Sequence, residues 1–154
     1  MNFAEALKTS TMDIFTTMLN LPLEFKEINA KGSEKNLKFD ISGIIGLAGN
    51  YQGSVAIHTS KSIAMKITSA MLGMDIDSIT PEVEDCIGEM ANMVTGGAKT
   101  ALSSEGVDFD LSLPTVVVGD NHSTNQINQG GESGVIYFQC ETQNIVVEFM
   151  IKKT

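Results

Sequence analysis

The sequence predicts an α+β fold, in which a mostly antiparallel sheet of about six strands is packed by a layer of long helices. Two observations support this prediction. Segments with apolar residues at helical spacing alternate with segments of strand-like alternation, in the order helix, three strands, two helices, three strands. No internal repeat or low-complexity segment interrupts the 154 residues. We therefore expect residues 1–154 to form one domain.

Residues 2–20 have apolar side chains at largely helical spacing and predict the first helix, which Pro22 ends because proline cannot continue a helix. Residues 23–30 alternate and predict an edge strand, and the polar residues 31–36 then predict a turn. We expect the apolar stripe of the helix to lie in the core: Phe3, Leu7, Ile14, Phe15, Met18 and Leu19.

A β-hairpin is predicted next, because two alternating arms flank the segment AGNYQG, which holds the Gly and Asn that tight turns need. One face of the resulting sheet should be apolar. The alternating residues are Phe39, Ile41, Gly43, Ile45 and Leu47 on one arm, and Val55, Ile57 and Thr59 on the other.

Two helices follow the hairpin. The second helix should begin near Ser60 and end at Gly73, with Ile63, Ile67, Ala70 and Met71 at helical spacing. Residues 80–106 predict one long helix, because Thr80 suits the N-cap, Pro81 suits the first helical position and Gly106 suits the stop.

The long helix has two faces at about 100° per residue. Its polar face should look into solvent, with Glu89 and Asn92 side by side because they are three residues apart. The apolar face should dock on the sheet and comprises Val83, Ile87, Met90, Val94, Ala98, Ala101 and Leu102. The polar face comprises Glu82, Asp85, Glu89, Asn92, Gly96 and Ser103.

Helix stability does not explain the composition of this polar face. Asn is a poor interior helix residue, and Gly96 and Gly97 each cost about 1 kcal/mol relative to Ala. A glycine beside Asn92 removes side-chain bulk, which would let another surface approach the helix. The spacing Glu-x-x-Asn alone is also typical of an ordinary solvated helix face.

The C-terminal part returns to strand patterns at residues 107–119, 133–142 and 144–153. Residues 119–132 are polar and rich in Gly and Asn, and predict a mobile surface loop. This loop is either a tolerated insertion or a flap that contacts a partner.

Charge excludes two classes of partner. Ten basic and nineteen acidic residues give a formal net charge of −9, so neither nucleic acid nor an anionic membrane surface is an expected partner. The sequence shows neither a secretory leader pattern nor an apolar run of about 18 residues, and we expect a cytoplasmic protein.

No familiar catalytic or metal-binding pattern appears. Cys86 and Cys140 are well separated and are expected to be reduced and buried, and His58, at a strand end, and His122, in the polar loop, lack metal-ligand spacing. Patterns for a catalytic triad, a phosphate-binding Gly loop or a zinc protease are absent. One chemistry remains accessible: a positioned amide can orient water for phosphoryl hydrolysis, as a Gln does in GTPases.

The chain resembles the CheX branch of the CheC/CheX/FliY chemotaxis phosphatases. The resemblance rests on the order of elements, on the segment IGEMANMVTGGAKTAL, on Asp85, Glu89 and Asn92 in a D-x-x-x-E-x-x-N arrangement, and on the strand LPTVVVG. It spans essentially the whole chain. CheC-type members carry two such elements, whereas this chain carries one, which favours CheX.

The resemblance implies hydrolysis of the aspartyl phosphate of a CheY-like response regulator. In that family the Asn, here Asn92, orients the hydrolytic water, and the Glu, here Glu89, pairs with the regulator's lysine. Asp85, Gly96 and Lys99 are expected on the partner-binding surface. The resemblance also implies a homodimer joined through sheet edges and no cofactor of its own, since Mg²⁺ belongs to the regulator.

Two other functions remain open from the sequence. The chain could be a non-catalytic binding module of the chemotaxis or flagellar machinery, which captures a phosphorylated regulator and protects its phosphoryl group. It could also be a purely structural dimer, which would bind no phosphorylated receiver domain.

Overall fold

A computed structural model of the chain describes residues 2–30, 38–122 and 131–154. Helix α1 spans Phe3–Asp13 and continues as a π-helical segment, Ile14–Leu19; α2 spans Lys61–Leu72 and α3 spans Pro81–Leu102, followed by a 3₁₀ turn, Ser103–Glu105. The strands are β1 (Glu24–Ala30), β2 (Phe39–Ala48), β3 (Tyr51–Thr59), β4 (Asp110–Leu111), β5 (Thr115–His122), β6 (Glu132–Cys140) and β7 (Gln143–Lys153).

The strands form one sheet in which every described pairing is antiparallel. The order is β1-β6-β7-β3-β2, and both β4 and β5 pair with the remaining edge of β2. The predicted α+β fold is confirmed, and β1 lies at an edge of the sheet as expected.

The strand predicted at residues 107–119 is two strands in the structure. Pro114, which has no N–H for a strand ladder, lies between β4 and β5. Around this break the Ser112 N–H donates to the Gly46 carbonyl oxygen at 2.9 Å, and the Gly46 N–H donates to Ser112 Oγ at 2.8 Å. The sheet therefore has seven strands rather than about six.

The predicted loops are only partly described. Strand β5 continues to His122 and β6 begins at Glu132, so the backbone of His122 belongs to a strand and not to the loop predicted at 119–132. Residues 123–130, and the turn predicted at 31–36, lie outside the described residues.

Helix α3 lies at the centre of the helix layer, where it contacts α1, α2 and strands β2, β3 and β5. Two glycines allow close approach. A Cβ at Gly43 of β2 would lie 2.8 Å from the Ile87 carbonyl oxygen and 3.2 Å from Ala91 Cβ, so only glycine lets the helix rest on the strand backbone. A Cβ at Gly88 would lie 3.2 Å from Pro114 Cγ. These contacts fix which face of α3 points away from the sheet.

Two local predictions differ from the structure, those for Met18 and Ala101, and the predicted N-cap is met in position but not by a side-chain bond. Thr80 occupies the N-cap position, but its side chain makes no capping hydrogen bond; its carbonyl oxygen accepts from Val83 N–H at 3.0 Å instead. Met18 is 59% exposed rather than buried, because the π-helical turn changes the angular spacing that an α-helix would have. Ala101 is exposed because it faces a groove between α3 and α1.

None of the helices in the described parts of the chain combines the length and the apolar character needed to traverse a lipid bilayer.

Candidate functional site

The polar face of α3 points into solvent as predicted. Asp85 and Glu89 are exposed, and Asn92 is half-buried. Residues three apart on a helix have Cβ atoms about 5–6 Å apart, so the Glu89 carboxylate and the Asn92 amide can act on one small target together. Neither side chain packs inward against the sheet, because Gly43 and Gly88 bring the opposite side of α3 down onto it.

Asn92 lies on the wall of an apolar groove of about 550 Å³ between α1 and α3, which we call the α1–α3 groove. Asp13 is the only ionisable residue among those that line it. Its α3 side consists of Asn92, Met93, Gly96, Gly97 and Ala101. Its other side consists of Ala6, Thr9, Ser10, Asp13, Ile14 and Met18, with Leu111 at one end.

Glu89 borders a different and more polar depression, which we call the Glu89 notch. It is lined by Glu84, Asp85, Gly88, Glu89, Pro114 and Val116. Three carboxylates therefore face a small space on one side of α3. An opposite charge at about 4–6 Å favours an ionised carboxylate, so this notch suits a cation supplied by another molecule.

The adjacent glycines Gly96 and Gly97 of α3 are present for different structural reasons. A Cβ at Gly97 would overlap Ser10 Oγ, which donates to the Val94 carbonyl oxygen at 2.8 Å inside the contact between α1 and α3. Gly97 is therefore explained by packing within the chain. A Cβ at Gly96 would meet nothing within 4 Å, so packing of the described residues does not require glycine there.

Lys99 lies near the C-terminal end of α3, where its Nζ is 3.6 Å from Asp108 Oδ1. Its side chain is 36% exposed and that of Asp108 is 72% exposed. Exposed ion pairs of this kind contribute about 0–1 kcal/mol, so Lys99 can change partners at low cost. Its assignment to the partner surface stays a prediction.

The structure also contains a buried polar cluster that the sequence did not reveal. Ser42 Oγ is 2.7 Å from His58 Nδ1, and His58 Nε2 is 2.9 Å from Glu148 Oε1, which links β2, β3 and β7 on the sheet face opposite the helices. The contacts run from Ser to His to Glu, as in a hydrolase triad. However, Ser42 is 0% exposed, so no substrate reaches its hydroxyl. The only sequence signal was the period-2 placement of these residues.

The two cysteines are free and buried, as predicted. Burial raises the pKa of the Cys86 thiol, and the Asp85 and Glu89 carboxylates raise it further against a hydrogen bond with Thr68. Burial also raises the pKa of Cys140. Both thiols are therefore protonated near neutral pH and are poor nucleophiles. Within the described residues no group of three or more His, Cys, Asp or Glu side chains is placed to hold a metal ion.

Residues 41–139 match the model of the family described as chemotaxis phosphatase CheX. The matched segment includes all of α3 with Glu89 and Asn92, and the strand break at Pro114. The chain belongs to the CheX family. The resemblance predicted from the sequence is confirmed.

Relatives in the CheX family show how far the similarity extends. A curated protein named CheY-P phosphatase CheX, from Thermotoga maritima, is 35% identical over 77 residues, which are 49% of this chain and 50% of that protein. The match thus spans about half the length of that curated relative. The crystal structure of CheX from Vibrio vulnificus is 33% identical, with a TM-score of 0.90, over 97% of this chain and 99% of that chain.

A solved structure with lower sequence identity contains a partner protein. The CheX–CheY–BeF₃–Mg²⁺ complex from Borrelia burgdorferi contains a chain that is 23% identical to this one, with a TM-score of 0.83 and 99% coverage of both chains. At this identity the likeness establishes the shared fold.

The different roles of Gly96 and Gly97 can be tested by stability. We expect Gly96→Ala to raise the free energy of unfolding by up to about 1 kcal/mol, because Ala is the better helix former and its Cβ has room. We expect Gly97→Ala to lower it by about 1–3 kcal/mol through overpacking against Ser10. Urea denaturation of both variants measures the difference, and a destabilising Gly96→Ala would show that the fold itself needs that glycine.

Proposed function

We propose that this CheX-family chain hydrolyses the aspartyl phosphate of a CheY-like response regulator. One observation carries the proposal: Glu89 and Asn92 stand together on the face of α3 that points away from the sheet. The activity named for the Thermotoga maritima relative, dephosphorylation of CheY-P, supports it.

Asn92 is proposed to orient the attacking water. Phosphoryl transfer needs an in-line nucleophile and stabilised charge rather than new covalent chemistry from the catalyst. A carboxamide offers both a hydrogen-bond acceptor and two donors, so it can hold a water and face phosphoryl oxygens at once. The half-buried position of Asn92 on the groove wall limits the freedom of its side chain before the regulator binds.

Glu89 is proposed to pair with the lysine of the regulator's active site. The carboxylates of the Glu89 notch favour a cation, and the lysine would be brought to within a few ångströms of the water that Asn92 holds. Asp85 and Lys99 are proposed to contact the regulator at either side of this pair, and Gly96 leaves room for its approach.

The negative charge of the chain requires that cations accompany the acidic partner. A chain of formal charge −9 that meets an acidic phosphorylated site is repelled unless cations intervene. We propose that the phosphoryl group, the lysine and a bound Mg²⁺ all belong to the regulator, and that this chain supplies no cofactor. The Borrelia burgdorferi complex contains CheX, CheY, BeF₃ and Mg²⁺ together, which supports Mg²⁺ as a component of such an assembly.

We further propose that the chain forms a homodimer in the cytoplasm, where response regulators act, by pairing the β5 edges of two sheets. Strand β5 begins with a run of uncharged residues, whereas the first half of β1 is charged. On β1 the Lys26 Nζ lies 3.0 Å from Glu24 Oε1, and such charges discourage edge pairing. On β5, residues 115–119 carry no charge, and Val118 is 44% exposed.

Replacing Asn92 by Ala should lower the rate of phosphoryl hydrolysis by about 10²–10³-fold, equivalent to about 2.7–4 kcal/mol of barrier, because one preorganised polar group is lost. Phosphate release from a phosphorylated receiver domain measures this rate. Asn144→Ala is the matched control, since Asn144 is exposed on β7, away from α3. An unchanged rate in Asn92→Ala contradicts the proposal, and binding that protects the phosphoryl group would favour the capture module instead.

Replacing Glu89 by Gln should lower kcat/KM at least roughly 30-fold, because the regulator's lysine loses its partner inside the interface. This factor corresponds to about 2 kcal/mol of lost transition-state stabilisation. The difference from the wild type should shrink as ionic strength rises, since salt screens the lost attraction. Steady-state kinetics at low and high salt test both statements. Glu132→Gln on β6 removes the same charge from an exposed site in the sheet and should leave the kinetics unchanged.

The proposed dimer predicts opposite effects at the two sheet edges. Val118→Lys should dissociate the dimer, because a charge on β5 would be buried between paired edges. Ile28→Lys, at a 36% exposed position on β1, should leave it intact. Sedimentation equilibrium measures the oligomeric state of the wild type and of both variants. Dissociation by Ile28→Lys alone would assign the interface to β1, and a monomeric wild-type chain would rule out the dimer.

A further inference from the structure

We propose that the α1–α3 groove receives an apolar side chain of the regulator, from the same receiver-domain surface that carries the aspartyl phosphate. This inference rests on the proposed function, and it adds a second contact that acts on affinity rather than on chemistry. Its occupant is a partner of stated chemistry: an apolar segment of a phosphorylated receiver domain.

The groove and the proposed catalytic face share residues. Asn92 and Gly96, one helical turn apart, lie both on the polar face of α3 and on the groove wall. One turn is about 5.4 Å along the helix axis. A partner that accepts the Asn92 amide must therefore cover the mouth of the groove as well.

The groove is the less charged side of α3. It has a single ionisable lining residue, Asp13, whereas the Glu89 notch on the other side presents three carboxylates. Because this acidic chain and an acidic phosphorylated site repel each other, attraction that does not depend on charge has to come from apolar burial. The groove is where the described surface beside Asn92 offers that burial.

Two features of the groove wall point to occupation by another molecule. Met18 projects into water at 59% exposure, and methionine is an adaptable side chain that suits binding surfaces. It is placed there by the π-helical segment Ile14–Leu19, and such insertions are frequent at functional sites. Gly96 opens the opposite wall although no described atom lies near enough to require it.

The experiment compares two groove variants with two matched controls. Met18→Ser removes the apolar rim, and Ala101→Gln fills the groove with a neutral residue that forms helix well. Met74→Ser changes a methionine of similar exposure, 56%, outside the groove, and Ala70→Gln makes the same Ala-to-Gln change at an exposed position on α2 that does not line the groove. All four are assayed for phosphate release from a phosphorylated CheY-type receiver domain, and for binding of that domain with beryllofluoride and Mg²⁺.

Both groove variants should raise KM and the dissociation constant of the beryllofluoride complex by about tenfold, the scale expected for losing part of one buried apolar side chain. The value of kcat should stay within about twofold, and the loss should persist at high salt because it is not electrostatic. The controls should match the wild type. Circular dichroism and urea denaturation confirm that each variant is folded.

The other outcomes separate this inference from the proposed function. If the wild type hydrolyses the phosphoryl group and the groove variants bind normally, the groove is not a docking site and the phosphatase proposal stands. If the wild type lacks phosphatase activity, the proposed function fails, and unchanged receiver binding by the groove variants then overturns the groove as well. If Met18→Ser and Ala101→Gln change the oligomeric state instead, the occupant is a second copy of this chain and the inference is wrong.

Discussion

The direct contact between α3 and the backbone of β2 is the constraint on which the rest of the structure depends. The missing side chain of Gly43 lets the Ile87 carbonyl oxygen and Ala91 lie on the strand itself. Gly88 repeats this approach against Pro114 at the break between β4 and β5. A helix seated this closely cannot rotate without separating from the sheet, so the opposite face, with Glu89 and Asn92, has a defined direction.

The same seating gives α3 two chemically different sides. Helix α1 lies close to it through Gly97 and Ser10, and leaves the apolar α1–α3 groove beside Asn92. Strand β5 and the loop that carries Pro114 border the acidic notch beside Glu89. A regulator docked across the helix would therefore meet apolar surface on one side and carboxylates on the other, and this asymmetry would orient it.

Three nucleophilic groups among the described residues are too deeply buried to take part in catalysis. The thiols of Cys86 and Cys140 are buried and protonated, and the Ser42 hydroxyl is enclosed in a cluster with His58. The cluster joins three strands and satisfies polar groups within the sheet, which is a structural task. The proposed hydrolysis therefore takes its reactive groups from the regulator, and the share proposed for this chain is to position water and charge.

The sequence by itself determined the class of fold, the long central helix and the outward placement of Glu89 and Asn92, because these follow from hydrophobic period and turn residues, which are local. It also led to the CheX family through the motif on that helix. Only the tertiary structure decided that Met18 and Ala101 are exposed, that Gly97 serves the contact with α1 whereas Gly96 does not, and that Ser42, His58 and Glu148 meet. Those outcomes depend on which surfaces from distant parts of the chain come together, and the spacing of residues along one element holds no information about that.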